Sequence, residues 1–189
     1  MKKMGCFIVI GVVVVLVLII GGWLMGTYNS LVTQSQAIDA QWGQVETQYQ
    51  RRFDLIPNLV NSVKGLMAQE KTVFDSIAQA RTKYGSAATV NEKAAAAGQV
   101  ETALGRLLVV MENYPEIRSS TAVTSLMDEL AGTENRISVE RRRYNDFVRT
   151  YNTSVKTFPN AMIAGMFGFS EKEYFTSVSG ADKAPKVEF

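Results

Sequence analysis

Polar side chains interrupt the apolar helical pattern of this sequence in three stretches, residues 51–59, 111–115 and 129–152, and they are the residues best suited to chemistry or binding. In the last of these stretches, tyrosines and asparagines recur seven residues apart, so they share one helix face near several arginines. Such a set can line a binding groove or form a buried network of hydrogen bonds and ion pairs. We expect the network, because it fixes helix register. Its candidate members are Arg52, Asp54, Glu134, Arg136, Arg141, Tyr144 and Asn145.

Histidine is absent from the 189 residues, which limits the chemistry available to the chain. Ser-His and Cys-His nucleophile pairs, di-iron helices with a Glu-x-x-His motif and nearly all zinc sites are excluded. The adjacent carboxylates Asp128 and Glu129 point about 100° apart on a helix and imply no acid–base pair. We therefore expect no enzyme, no catalytic residue, no cofactor and no metal site.

The charges of the chain are balanced, with 20 basic and 18 acidic residues and a formal net charge of +2. One basic triplet, residues 141–143, is of a kind that can bind phosphate. Acidic residues precede and follow these arginines on the same helix, among them Glu134, Glu140 and Asp146. One local triplet is far from the basic face that nucleic acid requires, so we expect no nucleic-acid partner.

The residues from Phe7 to Met25 form an apolar run without any charge. As a helix, a run of this length covers about 28 Å, close to the ~30 Å hydrocarbon core of a bilayer. A cleaved signal peptide is the alternative, since Lys2 and Lys3 precede the run. However, the run exceeds an h-region of about 7–15 residues, and Trp23, Leu24 and Met25 at its end form no A-x-A site. We expect an uncleaved membrane anchor.

The charges beside this anchor predict its orientation. Lys2 and Lys3 precede the run, whereas the first basic residue after it is Arg51. By the positive-inside rule, the N-terminus stays inside and the remaining chain lies outside a cytoplasmic (inner) membrane that it crosses once. Trp23 and Tyr28 fall where an outer interfacial belt of aromatic residues would lie.

Beyond the anchor, apolar residues follow a heptad spacing and no strand pattern occurs, which predicts an all-α antiparallel bundle of long helices continuing from the membrane helix. Pro57 is expected to kink the first helix without ending it. We expect residues 1–27 to form a cytoplasmic stub and anchor, and residues 28–175 the bundle. The predicted segments are helices 28–84, 92–114 and 121–158, an apolar segment 161–169 and a polar C-terminal tail 176–189.

The predicted helices have unequal lengths of roughly 85, 35 and 57 Å, so they cannot cover one another. If the chain runs out, returns by the short helix and runs out again, the return stops near Pro57. Five residues before it then lack an intrachain partner and form a candidate self-association seam, which predicts a homo-oligomer. Alternatively, segment 161–169 folds back over them. The seam consists of Leu31, Ile38, Trp42, Val45 and Tyr49.

Five stretches taken in order resemble the LemA family of bacterial membrane proteins: YNSLV, RRFDLIPNLVNSVKG, MENYPEIRSS, LAGTENRISVERRRYNDFVRTYN and KTFPNAMIAGMFGF. The resemblance implies an outward-facing bundle of long helices, anchored once, with no established enzymatic activity. Family members commonly show a His-Glu pair where this chain has Gln69 and Glu70. A ligand role of that histidine is therefore not available here.

These observations predict a non-enzymatic membrane-anchored scaffold or adaptor that self-associates and docks other, unidentified envelope proteins. The alternative is a membrane-shaping protein that acts directly on membrane lipid through residues 161–169. The scaffold requires an exposed seam for protein partners, whereas the membrane-shaping protein requires insertion of 161–169 into lipid.

Overall fold

The computed structural model describes residues 2–65, 67 and 69–176, with the backbone alone for residues 2–9 and 118. Within these residues the chain is helical and contains no strand, so the all-α prediction is confirmed. Of the expected polar tail 176–189, only Thr176 lies within the described residues. The helices are α1 (Lys2–Lys64), α2 (Lys71–Ser86), α3 (Val90–Met111), α4 (Pro115–Arg118), α5 (Thr121–Lys156) and α6 (Asn160–Phe167).

Two of the described helices, α1 and α3, are long and apolar enough to cross a membrane. They differ in burial. In the most apolar 18-residue stretch of each helix, 0% of the residues of α1 are buried, whereas 44% of those of α3 are buried. In α1, the large side chains from Ile10 to Ile20 are more than half exposed. Helix α3 is thus built as a core helix, and the anchor prediction concerns α1.

Helix α1 continues through Pro57, as expected, but it ends at Lys64 and does not reach residue 84. A basic residue in the last turn followed by Gly65 is a common C-terminal signal. The next helix starts after Glu70 and reaches Ser86, so a reversal at 65–70 replaces the expected single helix 28–84. The apolar spacing hid this reversal, because it keeps its phase across the connection.

Helices α2 and α3 pack against each other as a hairpin. The turn between them is closed by a capping box, in which the Thr89 hydroxyl accepts from the Glu92 N–H and the Glu92 carboxylate accepts from the Thr89 N–H. The backbone N–H groups of Ala88 and Thr89 both donate to the Glu92 carboxylate and lower its pKa. Alanines of α3 are buried at positions 94, 96, 97 and 103, and side chains this small permit close helix approach.

The chain divides into two compact units. Unit 1 contains residues 1–41 and 146–172, which are the first part of α1, the end of α5, and α6. Unit 2 contains residues 42–145 and 173–189, of which 177–189 lie outside the described residues.

The expected self-association seam is buried within the single chain. Leu31 and Ile38 in unit 1 and Val45 and Tyr49 in unit 2 are almost fully inaccessible, and Trp42 is half-buried. The expectation that this stripe lacks an intrachain partner is therefore wrong. Its burial removes the reason for expecting self-association there.

Helix α5 runs antiparallel to α1 in each unit. In unit 1, the Ser154 hydroxyl donates to the Gln34 amide oxygen over 2.9 Å. In unit 2, Tyr144 lies against Trp42, with ring centroids 5.4 Å apart. The extra reversal at 65–70 turns the chain once more than the sequence predicted, so that α5 returns along α1.

Candidate functional site

The first part of the candidate site is an ion pair in unit 2 whose cation is buried. Arg52 on α1 is only 8% exposed, and its guanidinium pairs with the Glu134 carboxylate on α5. Burial lowers the pKa of Arg52, because the interior disfavours its charge. Loss of Glu134 would leave this cation buried without its partner.

Arg141 joins three helices of unit 2. It donates to the Tyr49 hydroxyl of α1 and, over 2.8 Å, to the Glu101 carboxylate of α3. Its guanidinium also lies 4.8 Å from the ring centre of Phe175, a distance at which cation–π attraction operates. Arg141 therefore ties α1, α3 and α5 to the segment that follows α6.

The same contacts set the protonation of this cluster. Burial raises the pKa of Tyr49 to about 12, although Arg141 opposes the shift. Burial by itself would lower the pKa of Arg141. The contacts with Tyr49 and Glu101 raise it by more, so the pKa of Arg141 lies above its ordinary value. The phenol and the guanidinium keep their protons near neutral pH, far from the pKa that suits a general acid or base there.

An aromatic cluster lies beside Arg141. The rings of Tyr49, Phe53 and Tyr84 have centroids between 4.6 and 5.9 Å apart. The Tyr84 hydroxyl oxygen is buried and has no hydrogen-bond partner among the described residues. Burial is the main cause that raises the pKa of Tyr84. Lys93, which pairs with Glu46, lies 5.8 Å from the Tyr84 ring centre.

The asparagine at position 145 holds the chain's own backbone. Its amide oxygen accepts from the Phe175 N–H over 2.8 Å, and its amide nitrogen donates to the Phe175 carbonyl over 3.0 Å. The Tyr144 hydroxyl donates to the carbonyl of Glu173, whose carboxylate accepts from the Asn91 amide over 2.6 Å. Residues 173–175 are thus bound by side chains of α3 and α5 within unit 2.

In unit 1, Asn152 makes the same pair of bonds to Lys172, accepting from its N–H and donating to its carbonyl over 2.9 Å each. The neighbouring Glu171 pairs with Lys156 over 2.8 Å. Asn145 and Asn152 therefore bind a segment of their own chain that is neither helix nor strand, residues 169–176, which we call the C-terminal strap. A groove and an internal network were expected as alternatives, and here the groove is filled from within.

Two expected members of the polar network lie outside it. Asp54 is exposed and accepts from Gln50, one turn away on the same helix. Arg136 is exposed and forms no ion pair within the described part of the chain. Conversely, the pattern did not single out Glu101 or Phe175. Glu101 looks like any solvent-facing residue of α3, and nothing local marks Phe175 as the ring that meets Arg141.

A second candidate surface belongs to α6 in unit 1. Ile163 and Ala164 are buried, whereas Met162 and Met166, one turn apart, are 62% and 73% exposed. Phe158 just before the helix and Phe167 at its end are exposed as well. Together, Phe158, Met162, Met166 and Phe167 are called the α6 surface.

The α6 surface lies near the end of the apolar run of α1. The ring of Tyr28 packs edge-on against Phe167 and Phe169, with centroids 5.0 and 5.6 Å apart. Gly168 between them has φ 75°, a left-handed conformation that suits glycine. Because Tyr28 follows Met25 by three residues, α6 lies where the apolar run gives way to a polar chain.

The described residues contain no group of three or more His, Cys, Asp or Glu side chains arranged to hold a metal ion. The contacts that the two candidate surfaces do show are ion pairs, hydrogen bonds and apolar packing.

Comparison with known proteins agrees with the sequence resemblance. The model of the LemA family matches residues 41–189. Magnetosome protein MamQ 1 and Magnetosome protein MamQ 2 of Paramagnetospirillum magneticum (strain AMB-1) are each 30% identical to this chain, over 84% of it and 68% of the relative. Magnetosome protein MamQ of Magnetospirillum gryphiswaldense (strain MSR-1) is 28% identical over the same shares.

Proposed function

This chain belongs to the LemA family and is a membrane-associated helical protein, and from that premise we propose that it is a non-enzymatic scaffold with two bilayer contacts. The first contact is the α1 anchor, with the N-terminus inside and the helical domain outside the cytoplasmic membrane. The second is the α6 surface. The domain is then held against the membrane surface as well as tethered to it.

The observation that carries this proposal is the exposure of Met162, Met166 and Phe167 in the same unit as the anchor. Burying a side chain of this size contributes roughly 1.5–3 kcal/mol. A helix as short as α6 is weak by itself, but the anchor keeps it close to the bilayer, so its effective concentration there is high. The membrane-shaping alternative also requires that residues 161–169 contact lipid. A lipid contact of α6 is therefore common to both proposals.

Docking of other envelope proteins, or of a second copy, is the second part of the proposal. It is supported by exposed apolar side chains on unit 2, of which Val109 of α3 is 65% exposed. Crosslinking in intact membranes, with Val109→Lys as the comparison, tests this part, and unchanged crosslinks in the variant would contradict docking at this position.

The α6 contact is tested by fluorescence quenching with brominated lipids. In a Cys6→Ala background, the substitution Met166→Cys introduces a single cysteine that carries the fluorescent label. The full-length chain is placed in liposomes that contain the brominated lipids. Quenching at this position is expected. The matched control is a labelled Arg149→Cys, which lies in the same unit on α5, and its exposed side chain is expected to remain unquenched.

The control position is chosen from the geometry of unit 1. Ser154 contacts Gln34, nine residues beyond Met25, and Arg149 precedes Ser154 on the antiparallel helix. It therefore lies farther along α1 from the apolar run than Ser154. Equal quenching at both positions, or none at Met166, would refute the second bilayer contact.

A further inference from the structure

An apolar groove lies between α3 and α5 in unit 2. It consists of two adjoining cavities of about 220 and 360 Å³ that share Leu108 of α3 and Met127 of α5 in their linings. Leu108 is 39% exposed, so the groove is open to solvent. A continuous uncovered apolar surface of this kind is typical of a docking site. The apolar walls of this α3–α5 groove are Leu104, Leu108, Met111, Val123, Met127 and Leu130.

The C-terminal strap runs toward this groove. The Tyr144 hydroxyl donates to the carbonyl of Glu173, and the ring of Phe175, two residues later in the strap, lies over the guanidinium of Arg141 at 4.8 Å. Arg141 precedes Tyr144 on α5 by about one turn. The strap therefore advances toward the N-terminus of α5, which is the end of α5 that lines the groove.

The strap and the groove lie along one stripe of α5. The residues that bind the strap and those that line the groove follow one another at spacings of three, four or seven, which places them on the same helix face. On α3, Glu101 pairs with Arg141, and Leu104 and Leu108 follow it by about one and two turns. The stripe on α5 consists of Asn145, Arg141, Glu134, Ala131 and Met127.

The sequence that continues the strap carries an apolar pattern of its own. Residues 177–189 lie outside the described residues, but from Phe175 onward an alanine or valine recurs at every third position. A polyproline-II chain has three residues per turn and places such positions on one face. Pro185 favours this conformation for itself and for the residue before it. The recurring residues are Val178, Ala181, Ala184 and Val187.

We propose that residues 177–189 of the same chain dock in the α3–α5 groove, with the face that carries these residues turned to its apolar walls. The two repeats agree in length. At about 3.1 Å per residue, Ala184 lies about 28 Å beyond Phe175, and Met127 lies about 27 Å from Asn145 along α5. Val187, about 37 Å beyond Phe175, is then level with Val123, about 33 Å from Asn145.

The fixed position of Phe175 favours this occupant over lipid, a second copy or another protein. Asn145 holds both backbone groups of Phe175, so the residues that follow start beside the groove at a high effective concentration. The charged residues at the near end of the groove, Arg52 and Glu134, pair with each other, which leaves apolar contact as the main attraction. The groove and residues 173–176 belong to unit 2, so the inference does not depend on the α6 contact.

Disulfide crosslinking of the full-length chain in lipid nanodiscs tests the register. In a Cys6→Ala background, Met127→Cys is combined with Ala184→Cys, and mild oxidation is expected to join them within one chain. The control combines Ala184→Cys with Arg136→Cys, an exposed position on the opposite face of α5 that lies closer to the strap. The Met127 pair is expected to form at least about tenfold faster.

Two results of this experiment would overturn the proposal. Equal rates for the two pairs would show that residue 184 does not lie on the groove side of α5. Crosslinks between chains, seen as dimers on a non-reducing gel, would show that the segment of a second copy occupies the groove.

Thiol labelling tests whether the segment covers the groove. Leu108→Cys in the Cys6→Ala background is labelled with a maleimide, with and without Val187→Glu. A carboxylate on the docked face opposes burial, so Val187→Glu is expected to speed labelling by about fivefold or more. Lys186→Glu places the same carboxylate one position away from that face and is expected to leave the rate unchanged. If Val187→Glu had no effect, or the same effect as Lys186→Glu, the docking would be refuted.

Discussion

At the residue scale, two tyrosines of one aromatic cluster have opposite hydrogen-bond states. The ring centroids of Tyr49 and Tyr84 are 5.1 Å apart. The Tyr49 hydroxyl accepts from Arg141, whereas the buried Tyr84 hydroxyl has no partner within the described part of the chain. Removing one hydroxyl breaks a charge-assisted hydrogen bond, and removing the other relieves an unpaired polar atom.

The substitution Tyr49→Phe is therefore expected to lower the free energy of unfolding by about 1–2 kcal/mol, because Arg141 loses an acceptor. Tyr84→Phe is the matched control and is expected to leave stability unchanged or to raise it. Unfolding of the full-length chain followed by circular dichroism measures both. A larger loss in Tyr84→Phe than in Tyr49→Phe would contradict the hydrogen-bond assignment.

The stability of the wild-type chain is also expected to fall between pH 10 and pH 12. Tyr49 ionises near pH 10 when unfolded, but burial raises its pKa to about 12 in the folded chain. The unfolded state thus loses its proton first, and stability decreases as pH rises through this window. Tyr49→Phe lacks this contribution, so its loss should be smaller by roughly 2–3 kcal/mol. If the stability of Tyr49→Phe and that of the wild-type chain fell in parallel with pH, the contribution assigned to Tyr49 would be refuted.

At the element scale, the C-terminal strap owes its path to side chains of α5. The strap has no helix or strand of its own, so its backbone groups need partners elsewhere. Asn145 satisfies both backbone groups of Phe175 in unit 2, and Asn152 does the same for Lys172 in unit 1. The two asparagines lie seven residues apart on α5, and the strap residues that they bind, Lys172 and Phe175, lie three residues apart.

Asn145→Ala is expected to speed hydrogen exchange of the Phe175 amide by roughly tenfold to thirtyfold, because two hydrogen bonds are lost. The Phe175 ring keeps its contacts with Trp42 and Arg141, so the fold should persist. The control is Asn135→Ala, an exposed asparagine on the same helix. If both variants leave exchange at Phe175 unchanged, Asn145 does not hold the strap.

At the scale of the whole molecule, burial of the α1 stripe changes what a charge in that stripe should do. Val45 is fully inaccessible within one chain. An exposed oligomer seam would let Val45→Glu dissociate copies while each remained folded. A buried position requires the carboxylate to lose its hydration, which is strongly unfavourable without a partner.

We therefore expect Val45→Glu to unfold or strongly destabilise unit 2, as seen in its melting temperature. Val109→Glu, at an exposed apolar position of the same unit, should be nearly neutral. If the Val45→Glu chain stayed folded and light scattering showed only the loss of an oligomer, the stripe would be a self-association seam after all.

Topology also belongs to this scale and stays a prediction from the lysines before the apolar run. Cys6 should be shielded from membrane-impermeant thiol reagents in intact cells, whereas a protease added outside, after any wall is opened, should degrade the helical domain. A single cysteine at Asn58, in a Cys6→Ala background, is the positive control for labelling from outside. If the domain were fully protected from the protease and Cys6 were labelled, the orientation would be the opposite of the predicted one.

The sequence by itself determined the features that depend on neighbouring residues. The uncharged run from Phe7 to Met25 predicts an anchor without any knowledge of the bundle, and sustained apolar spacing without strand patterns predicts helices. Helix continuity through Pro57 was also predicted. Family resemblance was visible because its motifs are local stretches. In each case the decisive information lies within a few turns of chain.

The tertiary structure decided where the chain reverses and which polar groups meet. An apolar stripe that keeps its phase does not reveal a turn, so the reversal at 65–70 was missed, and the burial of Val45 with it. The pair of Arg141 and Tyr49 joins residues 92 positions apart. Local pattern restricts only which face a side chain occupies, whereas its partner depends on the packing of all the helices. The same packing decided that Asn145 binds the chain's own strap.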